Sequence, residues 1–318
     1  MIPLFKVFMT PEAANKAHSV LLSGYIGEGK VVKKFEHDLI KYFNKTIYNY
    51  DIITCNSATS AEHMLYHMLK KPRILNSYLD NAMVSTKWSG QEWYSEVIST
   101  PLTCTATNWP ILHNHWNLVW ADIDPTTMNI SLDSIRMKIN QNTRIIQVVH
   151  WGGYPVDMDK LNQIVNEAQQ EYNTSILIVE DCAHAFGSLY KGYNVGFTGN
   201  FSTFSTQAIK HLTTVDGGFL SSPFKEFSEV SRLIRWYGID RNSPREDFRC
   251  ENDIPEIGFK FHMNDVNAAI GIENLSKIDA VINRHKSNGQ YYNKHLQNIP
   301  GITLLENDPF KQSSYWLY

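Results

Sequence analysis

Apolar and polar positions along the chain repeat with two periods, one typical of helices and one of strands. Residues 31–43 place apolar side chains every three to four positions, which predicts a helix with one buried face. Further helices are predicted at 61–69, 132–139 and 157–172, the last with Asp157 or Asp159 as its N-cap. Short apolar runs between polar turns predict strands at 52–53, 96–99, 117–124, 144–151, 175–181 and 217–222.

Strands that alternate with helices in this way are typical of βαβ units, so the pattern predicts an α/β fold with a mostly parallel sheet. In open α/β sheets the ligand binds beyond the carboxyl ends of the strands. Four polar turns are expected at that edge, at residues 56–60, 101–105, 150–153 and 180–184. Any one of them could simply be solvated, but the four together favour a functional site.

The remaining segments predict how the chain divides into domains. Residues 71–95 show weak periodicity and resemble a loop-rich insertion, whereas one long helix is expected from about Gly271 to residue 296. The final residues, QSSYWLY, look like the start of a strand, and a chain end there suggests an incomplete domain. We therefore expect a large domain over 1–265, then a linking helix and the start of a small C-terminal α+β domain over 266–318.

Composition excludes several classes of protein. The 318 residues are 43% hydrophobic and 19% charged, which is typical of a globular protein. The net charge is -3, and no Lys/Arg-rich run suggests a nucleic-acid partner. No apolar stretch approaches the ~18–20 residues of a membrane-spanning helix, and the N-terminus does not resemble a signal peptide. Four scattered cysteines form no CxxC pair: Cys55, Cys104, Cys182 and Cys250. This argues against a disulfide framework or a structural zinc, so a cytoplasmic enzyme without a metal is expected.

The first candidate for chemistry is the turn NSATSA at residues 56–61. Small hydroxyl residues where a strand meets a helix leave the first backbone N–H groups free, and the helix dipole favours an anion there. Thr59 and Ser60 are therefore candidates to bind a phosphate. They could equally be ordinary N-caps.

The second and third candidates are an acid at a strand end and a lysine among small residues. Asp181 ends a predicted buried strand, where it could pair with a protonated ring nitrogen, act as an N-cap or form a structural ion pair. Lys210 lies in FSTFSTQAIKHLTTVDGG, where partial desolvation would lower its pKa and favour Schiff-base chemistry. It could also be a surface lysine. Ser205, five residues earlier, is another phosphate candidate.

These features together resemble a pyridoxal-phosphate enzyme, in particular the DegT/StrS type of sugar-nucleotide aminotransferase. The resemblance covers nearly the whole chain, and its motifs follow in family order: SGYIGEGKVVKKFEHDL, NSATSA, TPLTCTATN, ADIDPTTMNI, VVHWGGYPVDMDKL, VEDCAHAFGSLYKG, FSTQAIKHLTTVDGG, RWYGIDR and GFKFHMNDVNAAIGIENL. It implies the transferase fold type I of this cofactor class, with a seven-stranded-type sheet sandwiched by helices. It also implies that the chain lacks the family's C-terminal segment.

The resemblance implies roles for several residues. Lys210 matches the lysine that bonds to the cofactor, and Asp181 matches the carboxylate that pairs with the pyridine nitrogen. The positions expected to contact the phosphate are Thr59, Ser60 and Ser205. His184 falls beside the cofactor's ring oxygen.

Two positions depart from the family pattern. Cys104 stands where members often carry an aromatic that stacks on the cofactor ring, so the sequence does not show what covers the ring. Lys260 replaces an Asn that in many members reaches the partner subunit's phosphate, although a lysine could still contact that phosphate as a point charge.

The implied reaction transfers an amino group, usually from glutamate, to a keto-sugar carried on a nucleoside diphosphate. The product would serve surface glycan or polysaccharide synthesis, and the shared active sites of the fold type imply a homodimer. RWYGIDR and QAIKHLTTVDGG are most similar to members that act at carbon 4 of 4-keto-6-deoxy sugars, such as perosamine synthases.

Two alternatives to an aminotransferase stay open at this point. One is a sugar-nucleotide dehydratase, which would carry a histidine in place of Lys210, and His211 is adjacent. The other is an inactive cofactor-binding regulatory homologue.

Overall fold

Helices and strands alternate along the part of the chain that the structure describes. The structure is a computed structural model that describes residues 6–71, 94–242, 254 and 256–318. Its helices are α1 (Pro11–Ser23), α2 (Lys30–Tyr42), α3 (Ala58–Leu69), α4 (Thr105–His113), α5 (Leu132–Lys138), α6 (Met158–Tyr172), α7 (Lys225–Ile234), α8 (Asp265–Leu275) and α9 (Ile278–Leu296). Its strands are β1 (Asp51–Cys55), β2 (Glu96–Ser99), β3 (Asn117–Trp120), β4 (Thr143–Val149), β5 (Leu177–Asp181), β6 (Leu189–Tyr190), β7 (Tyr193–Asn194), β8 (Phe201–Ser205), β9 (Gly218–Ser222) and β10 (Lys311–Gln312).

Seven of these strands form one sheet in the order β1-β9-β8-β5-β4-β2-β3. Strands β3, β2, β4, β5 and β8 run parallel, whereas β9 is antiparallel to both of its neighbours, β1 and β8. This topology confirms the α/β fold with a mostly parallel seven-stranded sheet. Because parallel strands end at the same edge, β5 and β8 deliver the residues that follow them to one place.

The sheet is covered by helices on both faces, as the alternation along β1 shows. Ile52 packs in one core cluster with Phe35 of α2, while the next residue, Ile53, packs in the other with Met64 of α3. All four side chains are fully buried. Successive residues of a strand point to opposite faces, so burial of both faces accounts for an unbroken apolar run.

Helix α6 confirms the capping prediction and selects one of its two candidates. The Asp157 carboxylate accepts a hydrogen bond from the Lys160 amide at 3.0 Å, whereas Asp159 lies inside the first turn. The helix ends at Tyr172, and its C-cap residue Asn173 adopts the left-handed conformation with φ 47°.

The single long helix expected from about Gly271 is wrong, because the structure has two helices there. Helix α8 ends at Leu275, and α9 begins at Ile278. Lys277 between them has φ -116° and ψ 3°, outside the helical range. The buried Asn274 helps to hold this end of α8, since its Nδ2 donates to the Thr213 carbonyl at 3.0 Å.

The expectation that QSSYWLY begins a strand is also wrong beyond Gln312. Strand β10 ends at that residue, and it pairs with β6 in a small sheet of order β10-β6-β7. Tyr315 then adopts φ 52°, a left-handed conformation through which a strand does not continue. Ser314, fully buried, donates its amide to the Ser188 hydroxyl at 3.2 Å. We call residues 313–318 the tail segment.

Other expectations lie partly or wholly outside the described residues. The loop-rich insertion predicted at 71–95 falls almost entirely on residues 72–93, and Cys250 is also outside. Within the described residues, no helix is both long and apolar enough to cross a membrane. The domain boundary at 265 stays a prediction. At that position the Asp265 carboxylate accepts hydrogen bonds from the Gly29 and Val32 amides, which ties α8 to the start of α2.

Candidate active site

The register of the sheet brings three predicted site segments to one edge. Cys55 at the end of β1 pairs with Gly218, and Gly218 pairs with Ser205 at the end of β8. Two residues back along β8, Thr203 pairs with Asp181 at the end of β5. Because paired residues and residues two apart on a strand share a face, the side chains of Asp181, Thr203 and Ser205 lie on the same side of the sheet.

Asp181 is buried and held by two hydrogen bonds. Its Oδ1 accepts from the Ala183 amide at 2.9 Å, and its Oδ2 accepts from the Thr107 hydroxyl of α4 at 2.7 Å. Only 4% of the residue is exposed, and no ion pair of Asp181 occurs within the described ranges. The structural ion pair that the sequence left open therefore finds no support among these residues, and two hydrogen bonds orient the carboxylate.

A second buried carboxyl group, Glu62 of α3, lies on the same face. Its Oε1 accepts from the Thr203 hydroxyl at 2.9 Å and from Gln147 Nε2 at 3.3 Å. Burial, followed by repulsion from Asp181, raises the pKa of Glu62 well above its ordinary value. Burial thus favours the neutral form of Glu62.

The turn after β1 has the features of an anion site. Ser57 is the N-cap of α3, because its hydroxyl oxygen accepts from the Ser60 amide at 3.0 Å. The interpretation of Thr59 or Ser60 as the N-cap is therefore wrong. Among the described residues no acceptor is bonded to the amides of Ala58 and Thr59, which leaves them available at the positive end of the helix.

Gly218 packs against this turn so closely that a side chain would not fit. A Cβ atom added there would lie 2.3 Å from the Ala58 nitrogen. The glycine thus lets β9 support the first turn of α3 directly, beside Ser205 on the next strand. Ser205 is 9% exposed, and its hydroxyl accepts from the Gln207 amide at 3.3 Å.

Lys210 lies in the loop between β8 and β9, which is held at both ends. The Thr206 amide donates to the Gly217 carbonyl, and the Thr214 amide donates to the Thr206 carbonyl, each at 2.9 Å. The Lys210 side chain is partly buried, and desolvation lowers its pKa to about 8 in spite of the nearby Asp181 carboxylate. A solvated surface lysine would keep its ordinary pKa, so this alternative is not supported.

The tail segment contributes an aromatic residue to the same place. The Trp316 ring lies 3.8 Å from Lys210 Nζ, centroid to atom, and its Nε1 donates to the Ile209 carbonyl at 3.0 Å. The imidazole of His184 stacks on the indole with a centroid separation of 3.8 Å and an interplanar angle of 14°. A strand at 312–318, as the sequence predicted, would not imply this contact.

His184 is a neutral imidazole with a defined tautomer. Burial and then the charge of Lys210 lower its pKa to about 3. Its Nδ1 accepts from the Gly152 amide at 3.4 Å, so the hydrogen of the neutral ring is on Nε2. His184 therefore offers one N–H donor.

His211, the histidine on which a dehydratase would depend, is engaged elsewhere. Its Nε2 is 3.1 Å from the Ser314 carbonyl oxygen, and its ring packs edge-on against His285 at 4.6 Å. Burial lowers its pKa to about 3, and only 3% of the residue is exposed. His211 thus helps to anchor the tail segment.

Comparison with known proteins identifies the family. A family model described as the DegT/DnrJ/EryC1/StrS aminotransferase family matches residues 8–318. The chain belongs to this family. The crystal structure of AtS13 from Actinomadura melliaura is 40% identical with a TM-score of 0.89, and the match covers 100% of this chain and 79% of that one.

Further relatives indicate what other family members do. The putative sugar aminotransferase Spr1654 from Streptococcus pneumoniae, solved in its PLP form, is 25% identical with a TM-score of 0.79 over 100% of this chain and 77% of that one. GDP-perosamine synthase from Escherichia coli O157:H7 is 28% identical over 99% of this chain and 76% of its own length. A UDP-4-amino-4,6-dideoxy-N-acetyl-beta-L-altrosamine transaminase from Campylobacter jejuni (serotype O:2) is 28% identical over 91% of this chain and 68% of its own length.

The residues of this DegT-family chain fit pyridoxal phosphate, the cofactor of the family. Open amides and hydroxyls at the start of α3 suit a phosphate dianion. The buried, hydrogen-bonded carboxylate of Asp181 suits a protonated ring nitrogen, and the lowered pKa of Lys210 suits reaction with an aldehyde.

Of the two positions that depart from the family pattern, Lys260 lies over a neighbouring aromatic ring, whereas Cys104 lies close enough to Lys210 to raise the pKa of that lysine. Lys260 is exposed, with its Nζ 3.9 Å from the centre of the Trp236 ring, and its carbonyl accepts from Asn56 Nδ2 at 3.4 Å. It therefore lies next to the turn of its own chain. Cys104 is an exposed free thiol at the N-cap of α4, where it makes no capping hydrogen bond.

Sequence reasoning missed four residues of the site: Ser57, Glu62, Thr107 and Trp316. The signal for Ser57 was present, because a serine three residues before another polar residue at a strand–helix junction is a typical N-cap. The other three act through contacts between distant elements, which no local pattern encodes.

Proposed function

We propose that this protein transfers an amino group from glutamate to a nucleotide-linked keto-deoxysugar, with a 4-keto-6-deoxyhexose as the preferred substrate, for surface glycan synthesis. Family membership and the named activities of the two relatives on GDP- and UDP-linked amino sugars support this reaction class. Because those relatives carry different nucleotides, the proposal leaves the nucleotide open.

The observation that carries the proposal is the environment of Lys210. Its amino group is partly buried and has a pKa of about 8, so a substantial fraction is neutral near pH 7.5. It shares one edge of the sheet with the buried Asp181 carboxylate and the open N-terminus of α3. The amine, the carboxylate and the anion site match the aldehyde, the ring nitrogen and the phosphate of pyridoxal phosphate, respectively.

Each group then has a defined task. The bound cofactor supplies an electron sink for the carbanion formed at the α-carbon of the amino donor. Lys210, as a neutral amine, holds the cofactor, is displaced by the donor, and then removes the α-proton. Lys210 would return that proton to the cofactor carbon that carries the nitrogen, and in the second half of the cycle it would remove the proton again and deliver it to the sugar carbon that receives the nitrogen.

The remaining side chains bind and orient. Asp181, aligned by Thr107, stabilises a protonated pyridine nitrogen. The phosphate is held by the first turn of α3 and three hydroxyl residues: Thr59, Ser60 and Ser205. His184 donates its Nε2 hydrogen toward the ring oxygen, and Lys260 contacts the phosphate bound by a second copy of the chain.

The surroundings of His211 favour an aminotransferase over a dehydratase. A dehydratase of this fold would use a histidine at the position of Lys210, yet Lys210 is present and the adjacent His211 is bonded to the tail segment. The presence of Lys210, Asp181 and the open helix terminus likewise favours an active enzyme over an inactive regulatory homologue.

The proposal is tested by following nitrogen from donor to sugar. Purified protein is incubated with pyridoxal phosphate, ¹⁵N-labelled glutamate and either a GDP- or a UDP-linked 4-keto-6-deoxyhexose, and the products are analysed by mass spectrometry. We expect a labelled amino sugar from one of the two substrates and none from the Lys210→Ala variant. Release of a dehydrated sugar without nitrogen would instead identify a dehydratase.

The shared-site arrangement is tested separately. We propose a cytoplasmic homodimer, and sedimentation of the cofactor-loaded protein should give twice the 36.6 kDa chain mass. A fully active monomer would contradict the assignment of Lys260 to a partner's phosphate.

A further inference from the structure

The indole of Trp316 lies between two residues of the candidate site. Lys210 Nζ and the His184 ring centroid are each 3.8 Å from the Trp316 ring centre, and the imidazole is almost parallel to the indole. Two groups cannot occupy the same space above one ring. The ammonium group and the imidazole therefore lie on opposite faces of Trp316.

The indole is fixed in this position by its own hydrogen bond and by the tail segment. Its Nε1 donates to the carbonyl of Ile209, the residue directly before Lys210. The Leu317 amide donates to the Gly152 carbonyl at 3.2 Å, and Gly152 in turn donates to His184. Trp316 is thus bonded to the backbone of the residue before Lys210. The next residue, Leu317, is bonded to Gly152, whose amide donates to His184.

Close packing around Ser314 shows that the tail segment is a built part of the site. Ser314 is fully buried, and a Cβ added to Gly153 would lie 2.6 Å from its hydroxyl oxygen and 2.9 Å from the His184 carbonyl. The Ser314 carbonyl also accepts from His211. A segment lying loosely on the surface would show neither burial nor such contacts.

We propose that Trp316 is a positioning residue of the active site, whose indole holds the free amino group of Lys210 on one face and keeps the ring of His184 flat on the other. This inference rests on the proposed function of Lys210. The face of an indole attracts a cation electrostatically, more strongly where water is excluded. Trp316 therefore offers the amino group a defined position whenever Lys210 is not bonded to the cofactor, so that the amine stays within reach of the substrate carbon.

The test compares two variants of nearly equal side-chain volume, Trp316→Phe and Trp316→Leu, in cofactor-free protein. Phenylalanine retains an aromatic face, whereas leucine is apolar without one, so desolvation is matched and only the cation–π contact differs. Lysines are labelled by reductive ¹³C-methylation, the Lys210 signal is assigned by its loss in Lys210→Arg, and its pKa is read from an NMR titration.

We expect the Lys210 pKa to be about 0.5 to 1 higher in Trp316→Phe than in Trp316→Leu, with wild type at or above the phenylalanine variant. Trp109→Leu, which removes a tryptophan that is 52% exposed on α4, should leave this pKa unchanged. A merely structural Trp316 would lower the melting temperature of both variants without separating their Lys210 pKa values.

The kinetic counterpart uses single turnover with glutamate. We expect the rate of the donor half-reaction to fall about fivefold or more in Trp316→Leu and less in Trp316→Phe, with the affinity for pyridoxal phosphate little changed. Equal Lys210 pKa values in the two variants would overturn the inference while leaving the aminotransferase intact. If wild-type protein does not react with any amino donor, the proposed function fails, and the NMR comparison still decides whether Trp316 holds the amine.

Discussion

The Thr107 hydroxyl donates a 2.7 Å hydrogen bond to Oδ2 of Asp181. This bond joins α4 to the end of β5 and fixes the plane of a carboxylate that has no cationic partner within the described part of the chain. Thr107 in turn accepts from the Thr103 hydroxyl at 2.7 Å, so the turn before α4 supports the same orientation. Asp181 is thus an oriented hydrogen-bond acceptor in the candidate site.

Replacing Thr107 with valine should weaken cofactor binding without removing any charged group. A hydrogen bond to a charged acceptor contributes about 1.5–3 kcal/mol, so the Kd for pyridoxal phosphate should rise tenfold or more. Thr107→Ser, which retains the hydroxyl, should bind nearly as tightly as wild type. An unchanged Kd in Thr107→Val, measured by absorbance titration of the cofactor-free protein, would show that Asp181 needs no alignment.

Variants of Ser57 and Thr59 should differ in their effects, because Ser57 caps α3 whereas Thr59 is expected to bind the phosphate. Ser57 caps α3, so Ser57→Ala should lower the free energy of unfolding of the cofactor-free protein by about 1 kcal/mol. Thr59 is exposed and makes no capping bond, so Thr59→Ala should change that free energy by less than about 0.5 kcal/mol. Thr59→Ala should instead raise the Kd for pyridoxal phosphate. Equal losses of stability in the two variants would contradict this division.

Glu62 should make stability depend on pH in a direction opposite to that of most carboxylates. Its pKa is raised in the folded protein, whereas an unfolded glutamate titrates near about 4.3. The stability that protonated Glu62 contributes is therefore complete below that pH and is lost as pH rises toward the folded-state pKa.

Glu62→Gln keeps an acceptor for Thr203 and cannot ionise, so it removes this pH dependence. We expect the variant to match wild type in urea unfolding at pH 4.5 and to exceed it at pH 8, with the difference growing by at most about 1.4 kcal/mol per pH unit. A variant that is destabilised equally at both pH values would show that Glu62 is ionised in the folded protein.

The sequence predicted the elements of the sheet better than the contacts between them. The run that ends at Asp181 and the small-residue segment around Lys210 are local patterns, and the structure places both at one edge of the sheet. The contacts of Thr107 with Asp181 and of Glu62 with Thr203 join residues 74 and 141 positions apart, which periodicity does not encode.

The tail segment shows that a run of residues with high strand propensity need not form a strand. Aromatic and apolar residues in SSYWLY favour a strand by propensity. Tertiary contacts override that preference, because buried Ser314 and left-handed Tyr315 turn the chain so that Trp316 reaches Lys210. Propensity describes a half-buried pleated surface, whereas here the neighbours of Trp316 are the Lys210 amine and the His184 imidazole.

The visible absorbance of the protein loaded with pyridoxal phosphate, before and after excess glutamate, shows whether Lys210 is the catalytic amine. Lys210 should bond to the cofactor and produce a yellow band, and glutamate should bleach that band as nitrogen passes from the donor. Lys210→Ala should still bind the cofactor but should not be bleached. A wild-type band that neither glutamate nor any other amino donor alters, or a Lys210→Ala variant bleached as fast as wild type, would contradict the assignment of Lys210 as the catalytic amine.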